Sequence, residues 1–283
     1  MRTLNIRLAL VLLAIMVVLG GGVYWLHAYQ VERNAYVFLE QADRAEEQAK
    51  KAAEEGNDWL QQQSMQETIR NLSWYVRLMP DESEVRERLG LLYAEWALDE
   101  KTQEKDRNFL FGQAWGHLER TVALSSDRET ARRKLVEMAI AIGRYQNAKE
   151  HLQMALLQQH PEDPELWEQL AVCQARMGEH DAARKSYEKA IRCDPGQVSS
   201  YLPLAILLRS QFSQPKEADQ LMDQLVEANP DSARAHYFRA QYLLGSGMGE
   251  EALGEVEKAL ELDSNDVEIL YLAARCYLVT NKI

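Results

Sequence analysis

The residues able to do chemistry are present in this sequence but are not gathered. Six histidines occur, His27, His117, His151, His160, His180 and His236, and none has a second His or Cys at the spacing a metal site needs. His180 follows Gly178 by two residues, in a turn, where a solvated imidazole is expected. Cys173, Cys193 and Cys276 include no CxxC pair, and each falls inside a helical pattern, where Cys packs as a small apolar residue. Acidic pairs such as Glu250 and Glu251 stand at helix starts, where carboxylates offset the dipole rather than exchange protons with a substrate. HExxH, GxxxxGK[ST], GxSxG and GxGxxG are absent, and Gly20, Gly21 and Gly22 sit in an apolar run that does not cradle phosphate. Asn71-Leu72-Ser73 spells a glycosylation sequon, but in the middle of a helical stripe. The expectation is no enzyme: no catalytic residue, no metal, no cofactor and no small-molecule substrate.

The elements that carry these residues follow from composition. Only 14 Gly and 7 Pro interrupt 283 residues, which favours long helices over many short strands. The net charge is −12, and the only charges among the first thirty residues are Arg2 and Arg7. An acidic body repels phosphate backbones and anionic lipid surfaces, so nucleic acid is not an expected partner.

Leu8 to Leu26 contain no charge, and the next charged residue after Arg7 is Glu32. At about 1.5 Å per residue such a helix spans roughly 28 Å, close to the hydrocarbon core of a bilayer. Tyr24, Trp25 and Tyr29 cluster at its far end, where amphipathic rings favour the interface. The segment reads as a signal anchor over 8–26, with 1–7 cytoplasmic and the rest across the inner (plasma) membrane, in the periplasm. A cleaved signal with its apolar region at Leu8–Leu19 and small residues at Gly20 and Gly22 is the competing reading.

The remainder repeats. Gly143 and Gly178 lie 35 residues apart, as do Ala183 and Ala218, and Ala252 follows Ala218 by 34. One unit shows Trp167, Leu170, Ala171, Gly178, Ala183, Tyr187, Ala190 and Pro195 in order. Others place Tyr201, Leu204, Ala205, Ala218 and Pro230, or Leu135, Gly143, Ala148, Ala155 and Pro161, at the matching positions. Each reads as two helices and a turn. Small residues such as Ala171 and Ala183 let the pair approach, Gly178 ends the first helix, and Pro195 and Pro230 end second helices. Asp163 and Pro164 form an N-cap followed by Pro at the first helical position.

These residues resemble the tetratricopeptide repeat family, most clearly over 83–283. The expected fold class is all-α: a right-handed α-solenoid of helical hairpins behind one N-terminal transmembrane helix. Its units are 31–82 (a degenerate hairpin), 83–128, 129–163, 164–197, 198–232, 233–266 and a half repeat, 267–283. In the degenerate unit Leu39, Ala42, Ala45, Ala49 and Ala52 form one stripe, and Ile69, Leu72, Val76 and Met79 the partner stripe. In the last unit Leu270, Ala273, Ala274 and Tyr277 occupy the first-helix places. Two departures from the pattern stand out. Gly90 and Ala114 lie 24 apart where the family has 12, and the excess includes the charged run Asp99–Arg107, read as a longer solvated hairpin or a partner-contacting loop. The last unit also lacks its second helix, and solenoids need a covered end. Cys173 and Cys276 fall at equivalent first-helix places three units apart, which makes them poor disulfide partners.

The resemblance implies a concave groove lined by first helices. Its recurring positions fall here on Glu87, Leu91, Arg133, Glu137, Ile140, Glu168, Val172, Leu202, Ile206, Arg209, Tyr237, Gln241, Tyr271 and Arg275. The core of the candidate site is Arg133, Glu137, Val172, Leu202, Ile206, Arg209, Tyr237, Gln241, Tyr271 and Arg275, with Leu202, Ile206, Tyr237 and Tyr271 as an apolar floor for a helix or extended segment. The Lys/Asn clamp that some relatives use for chaperone C-termini is not matched. The implied function is that of a bacterial membrane-anchored scaffold, assembly factor or periplasmic chaperone holding a protein or peptide partner. The alternative is the non-catalytic arm of a longer protein whose functional domain lies beyond Ile283.

Overall fold

A computed structural model describes residues 6–99 and 102–281, with backbone alone for 6–9, 11, 12 and 14. Every regular element among the described residues is helical. The chain divides into two compact units, Met1–Met138 and Ala139–Ile283.

The first unit opens on α1 (Ile6–Glu54), a single helix of 49 residues, followed by α2 (Asp58–Leu78). Ala35, Ala42, Ala45, Ala49 and Ala52 are buried along α1, and their small side chains let α2 approach closely. Ile69, Leu72, Tyr75 and Val76 of α2 fill the seam, while Leu39 and Met79 are half-buried beside it. Gly56 takes a φ of 68° between the helices, and Asn57 caps α2 by accepting from the Leu60 N–H at 3.1 Å. Asn71 is buried in this seam, so the sequon is closed to a glycan. The anchor expected at 8–26 lies within α1, partly on residues whose side chains are not described. Among the described residues no helix is long and apolar enough to cross a membrane.

The insertion lengthens the hairpin: among the described residues of the charged run, 99, 102 and 103 lie in the turn and 104–107 open the second helix. α3 (Ser83–Leu98) and α4 (Glu104–Leu124) are each longer than a standard repeat helix, and only a short connection separates them. Glu104 and Asp106 stand in the first turn of α4, where the helix dipole favours them, so the end of the charged run is a good helix start. Arg107 donates to the Thr102 carbonyl at 3.2 Å, and the Thr102 hydroxyl to the Trp96 carbonyl at 2.7 Å, closing the end of α3. Gly90 is where α3 and α4 come closest: a Cβ there would stand 2.8 Å from the Leu118 side chain. The unit ends within α5 (Glu129–Ala141), whose Ala131, Leu135 and Met138 pack with Ala94, Ala114 and Leu118.

The second unit is a run of hairpins, an α-solenoid. α6 (Tyr145–His151) passes through a π-helical turn, Leu152–Leu156, into α7 (Leu157–Gln159). The cause is one extra residue. Ala148 and Pro161 are 13 apart, whereas Ala183 and Pro195, and Ala218 and Pro230, are 12 apart. A helix absorbs a single insertion by widening one turn. Then come α8 (Pro164–Arg176) with α9 (His180–Cys193), α10 (Tyr201–Ser210) with α11 (Pro215–Ala228), α12 (Ala233–Gly245) with α13 (Gly249–Leu262), and α14 (Val267–Thr280). Gly178 and Gly247 turn their hairpins with φ of 78° and 81°; Ser213 takes the same role at 55°, a conformation costly for a residue with a Cβ. Its turn carries one more residue than the others, which places Ser213 at the bend.

One contact recurs in both units. The fourth residue of a first-helix segment reaches back six residues to a carbonyl in the turn that follows the preceding second helix. Arg86 donates to the Pro80 carbonyl at 2.6 Å and Arg132 to Ser126 at 3.1 Å. Trp167 donates to Pro161 at 2.8 Å and Tyr201 to Pro195 at 3.2 Å, and His236 Nε2 meets the Pro230 carbonyl at 3.0 Å. Each gives a partner to a turn carbonyl that lies outside the helical ladder.

In the last helix, of the four first-helix places, Ala273 is buried and Tyr277 half-buried. Ile269, Leu272, Ala273 and Cys276 are buried, whereas Leu270 and Ala274 are exposed. Packing on Ala252, Leu253 and Val256 of α13 selects this face.

Candidate functional site

Three expected groove residues meet in the second unit. Val172 on α8 and Leu202 and Ile206 on α10 line a cleft of about 390 Å³ together with Ala175, Leu207 and Tyr187. α8 is set by its cap: the Asp163 carboxylate accepts from the Glu165 N–H at 3.0 Å and the Leu166 N–H at 3.3 Å, with Pro164 at the first helical position. Pro203 lies in the first turn of α10, where a missing N–H costs little. Leu202 is 8% exposed and forms the floor; Ile206, 53% exposed, forms the lip. Arg176, His180 and Gln211 stand at the rim. The Tyr187 hydroxyl beneath is held well above its ordinary titration range by burial.

The other expected residues are distributed otherwise. Tyr237 is half-buried, with the Arg234 guanidinium 4.7 Å from its ring and Phe238 beside it. Tyr271, Gln241 and Arg275 are exposed. Arg209 is engaged: its Nη1 donates to Asp219 at 3.3 Å and to the Tyr242 hydroxyl at 3.1 Å, and Tyr242 in turn donates to Asp219 at 2.6 Å. Arg133 pairs with Glu129 at 2.6 Å and Glu137 with Lys134 at 2.6 Å, both in the first unit. Leu91 packs beside the cluster of Ala94, Ala114 and Leu118, and Ile140 is half-buried.

Two acidic groove candidates serve the fold instead. Glu87 accepts from the Ala131 N–H at 2.9 Å and from Arg128 at 3.3 Å, which caps α5. Glu168 accepts from Gln197 at 2.6 Å and from Ser199 at 2.5 Å, at the entry to α10. Both hold the fifth place of a first helix and secure the next hairpin. The sequence signal was present in that shared position, but an acid there reads equally well as solvent-facing.

Among the described residues no group of three His, Cys, Asp or Glu is placed to hold a metal ion. All three cysteines are free. Burial pushes the Cys173 thiol up to about 11, so it stays protonated and inert at neutral pH. Burial likewise raises the half-buried Cys193, whose Sγ donates to Glu162 at 3.4 Å.

Stacked hairpins with a recurring first-helix face define a repeat scaffold. Residues 139–205 match one family profile described as a tetratricopeptide repeat, and 205–267 match a second. The chain is a tetratricopeptide-repeat protein. A tetratricopeptide repeat protein from Parabacteroides merdae is similar in fold, with a TM-score of 0.60 at 14% identity over 86% of this chain and 88% of that one. A MamA protein has a TM-score of 0.53 at 21% identity, over 69% of this chain and 95% of that one. The mouse protein O-mannosyl-transferase TMTC3 is 36% identical over 89 residues, a match confined to the repeats. This chain spans about 10% of the length of that relative and 9% of its human counterpart.

Proposed function

We propose that the chain is a scaffold that holds an apolar segment of a protein partner in the cleft between α8 and α10. The observation that carries this reading is the conjunction of Val172, Leu202 and Ile206 in one open apolar depression with polar groups only at its rim. Such a surface suits two or three anchoring side chains of a helix or extended strand, flanked by polar contacts. Placing a photo-crosslinking residue at Ile206 tests it. Crosslinked products at Ile206 that vanish in the Leu202→Asp background support the cleft; products unchanged by that substitution remove it.

We propose further that residues 8–26 anchor the scaffold in the inner membrane, with the repeats on the periplasmic side. The nineteen uncharged residues support this, as do the exposed Leu19, Val23, Trp25 and Leu26 along α1. A C-terminal tag digested by protease in intact spheroplasts is the expected result; a tag that survives until lysis places the repeats in the cytoplasm. Within the periplasm the scaffold would serve envelope assembly or chaperoning.

A further inference from the structure

The first unit holds a larger and chemically different cleft, of about 810 Å³, walled by α2, α3 and α4. Arg70 and Arg77 enter it from α2, Arg86 from α3 and His117 from α4, with Trp74 and Tyr93 between them. Among the described residues no carboxylate lines it, although the chain as a whole is strongly acidic. The nearest pairings are weak. Glu67 reaches Arg70 at 3.4 Å on the surface, and Asp81 pairs at 3.8 Å with Arg120, outside the cleft.

Two buried polar nitrogens here are left over by the fold. At the position where another unit has Trp167, this one has Arg86. A single N–H of Arg86, on Nη2, secures the Pro80 carbonyl, and its Nε is buried with no partner among the described residues. His117 Nδ1 is also buried without a partner. Its ring lies parallel to Tyr93, with centroids 5.8 Å apart. Burial, with Arg86 nearby, pushes the His117 pKa down to about 4, so at neutral pH the imidazole is an uncharged hydrogen-bonding group. Arg77 lies over the Trp74 ring at 4.7 Å, a stacking that leaves the in-plane N–H groups of its guanidinium directed outward. A buried polar group without a partner costs stability, so its retention beside a cluster of cations calls for a ligand that completes it.

We infer that this cleft binds an acidic peptide segment, its carboxylates on Arg70, Arg77 and Arg86 and a neighbouring apolar side chain against Trp74 and Tyr93. Guanidinium groups grip carboxylates in bidentate fashion, and the aromatic walls supply what a bare anion would not use. Its residues come largely from the second helices α2 and α4, so it is a different surface from the first-helix groove. It shares no residue with the cleft around Ile206, and neither reading depends on the other.

The test uses the full chain at about 0.15 M salt, where the general repulsion between an acidic body and an acidic ligand is screened beyond roughly 8 Å. The probe is a fluorescein-labelled octapeptide of Asp, Glu and Phe, measured by anisotropy against the same peptide with every carboxylate replaced by its amide. Tighter binding of the acidic form by ten-fold or more is expected, with a matching loss in Arg77→Gln and in Arg70→Gln and no change in Ile206→Asp. Arg86→Gln should lose binding too. Because Arg86 also holds the turn, the two α2 variants keep the test valid if that protein fails to fold. Equal binding of the acidic and amide peptides overturns the inference. So does full binding by both α2 variants. Displacement of the labelled peptide by inorganic phosphate at equal concentration would reassign the cleft to phosphate groups, and would overturn the peptide assignment.

Discussion

The hairpins α3/α4 and α8/α9 share one frame and diverge in what they do with it. Both pack through a small residue at the same place, Gly90 in one and Ala171 in the other, and both tie their entry turn with the fourth side chain, Arg86 or Trp167. In α8/α9 the tie is made by an indole with a single N–H, and nothing is left over. In α3/α4 it is made by a guanidinium with donors to spare, and the longer helices extend the wall from which those donors project. The difference teaches that a repeat can change its surface chemistry without changing its skeleton, provided the replacement still donates one hydrogen bond in the same direction.

The largest effect that would sharpen this comparison is in the core. Leu118→Ala should cost about 2–5 kcal/mol by urea unfolding, since Leu118 is fully buried against Gly90. Gly90→Ala alone should cost about 1–3 kcal/mol, because its new Cβ would stand 2.8 Å from Leu118. The double substitution should cost less than the sum of the singles; strict additivity would mean that the two residues do not determine the helix approach. Removing the tie while keeping bulk, as Trp167→Phe or Arg86→Met, should each cost about 0.5–1.5 kcal/mol. A cost in one hairpin alone would break the equivalence. Smallest is a gain. Ser213→Gly should stabilise the second unit by about 0.4–1 kcal/mol, since Ser213 holds a φ of 55° that glycine adopts freely.

Acidity separates the units as well. His117 is held neutral in the folded state, with its pKa lowered to about 4 by burial and by Arg86. Below about pH 6.5 the unfolded chain therefore takes up a proton that the folded chain refuses. Stability of the first unit should be complete above that pH and fall progressively as pH drops toward 4. Replacing His117 with Gln should flatten the dependence, as followed by Trp fluorescence across that range. A slope unchanged by the substitution would assign the effect to other groups.

Much of the skeleton was legible from residue spacing, because Gly178, Ala183, Ala190 and Pro195 each do a job that few other residues can do at that place. The buried face of the last helix was less legible for a physical reason. The run from Ile269 to Ala274 offers apolar side chains at nearly every position, so periodicity does not choose a face until α13 does. The charged run after Leu98 marks the longer hairpin in the sequence, but not where its turn ends, because Glu, Lys and Arg are also good helix formers and α4 starts inside the run at Glu104. In the candidate groove, spacing named Val172, Leu202 and Ile206, which do meet, but it did not separate them from Glu87, which caps α5, or Glu168, which is held by side chains at the entry to α10. The basic cleft stayed hidden because its residues are dispersed over 70–117 and on three helices, with no motif to join them.

The six-residue tie also bears on how such a chain acquires its structure. Each tie joins groups that are neighbours in sequence, as from Trp167 to Pro161 or from Tyr201 to Pro195, so none waits for a distant part of the chain. Loops of this length close in roughly 10–100 ns, far sooner than a domain folds. The junctions between hairpins can therefore form early and independently, each setting the direction in which the following helix leaves. Folding would then start at any of several junctions and spread to its neighbours, a kinetic redundancy that a single central core does not offer.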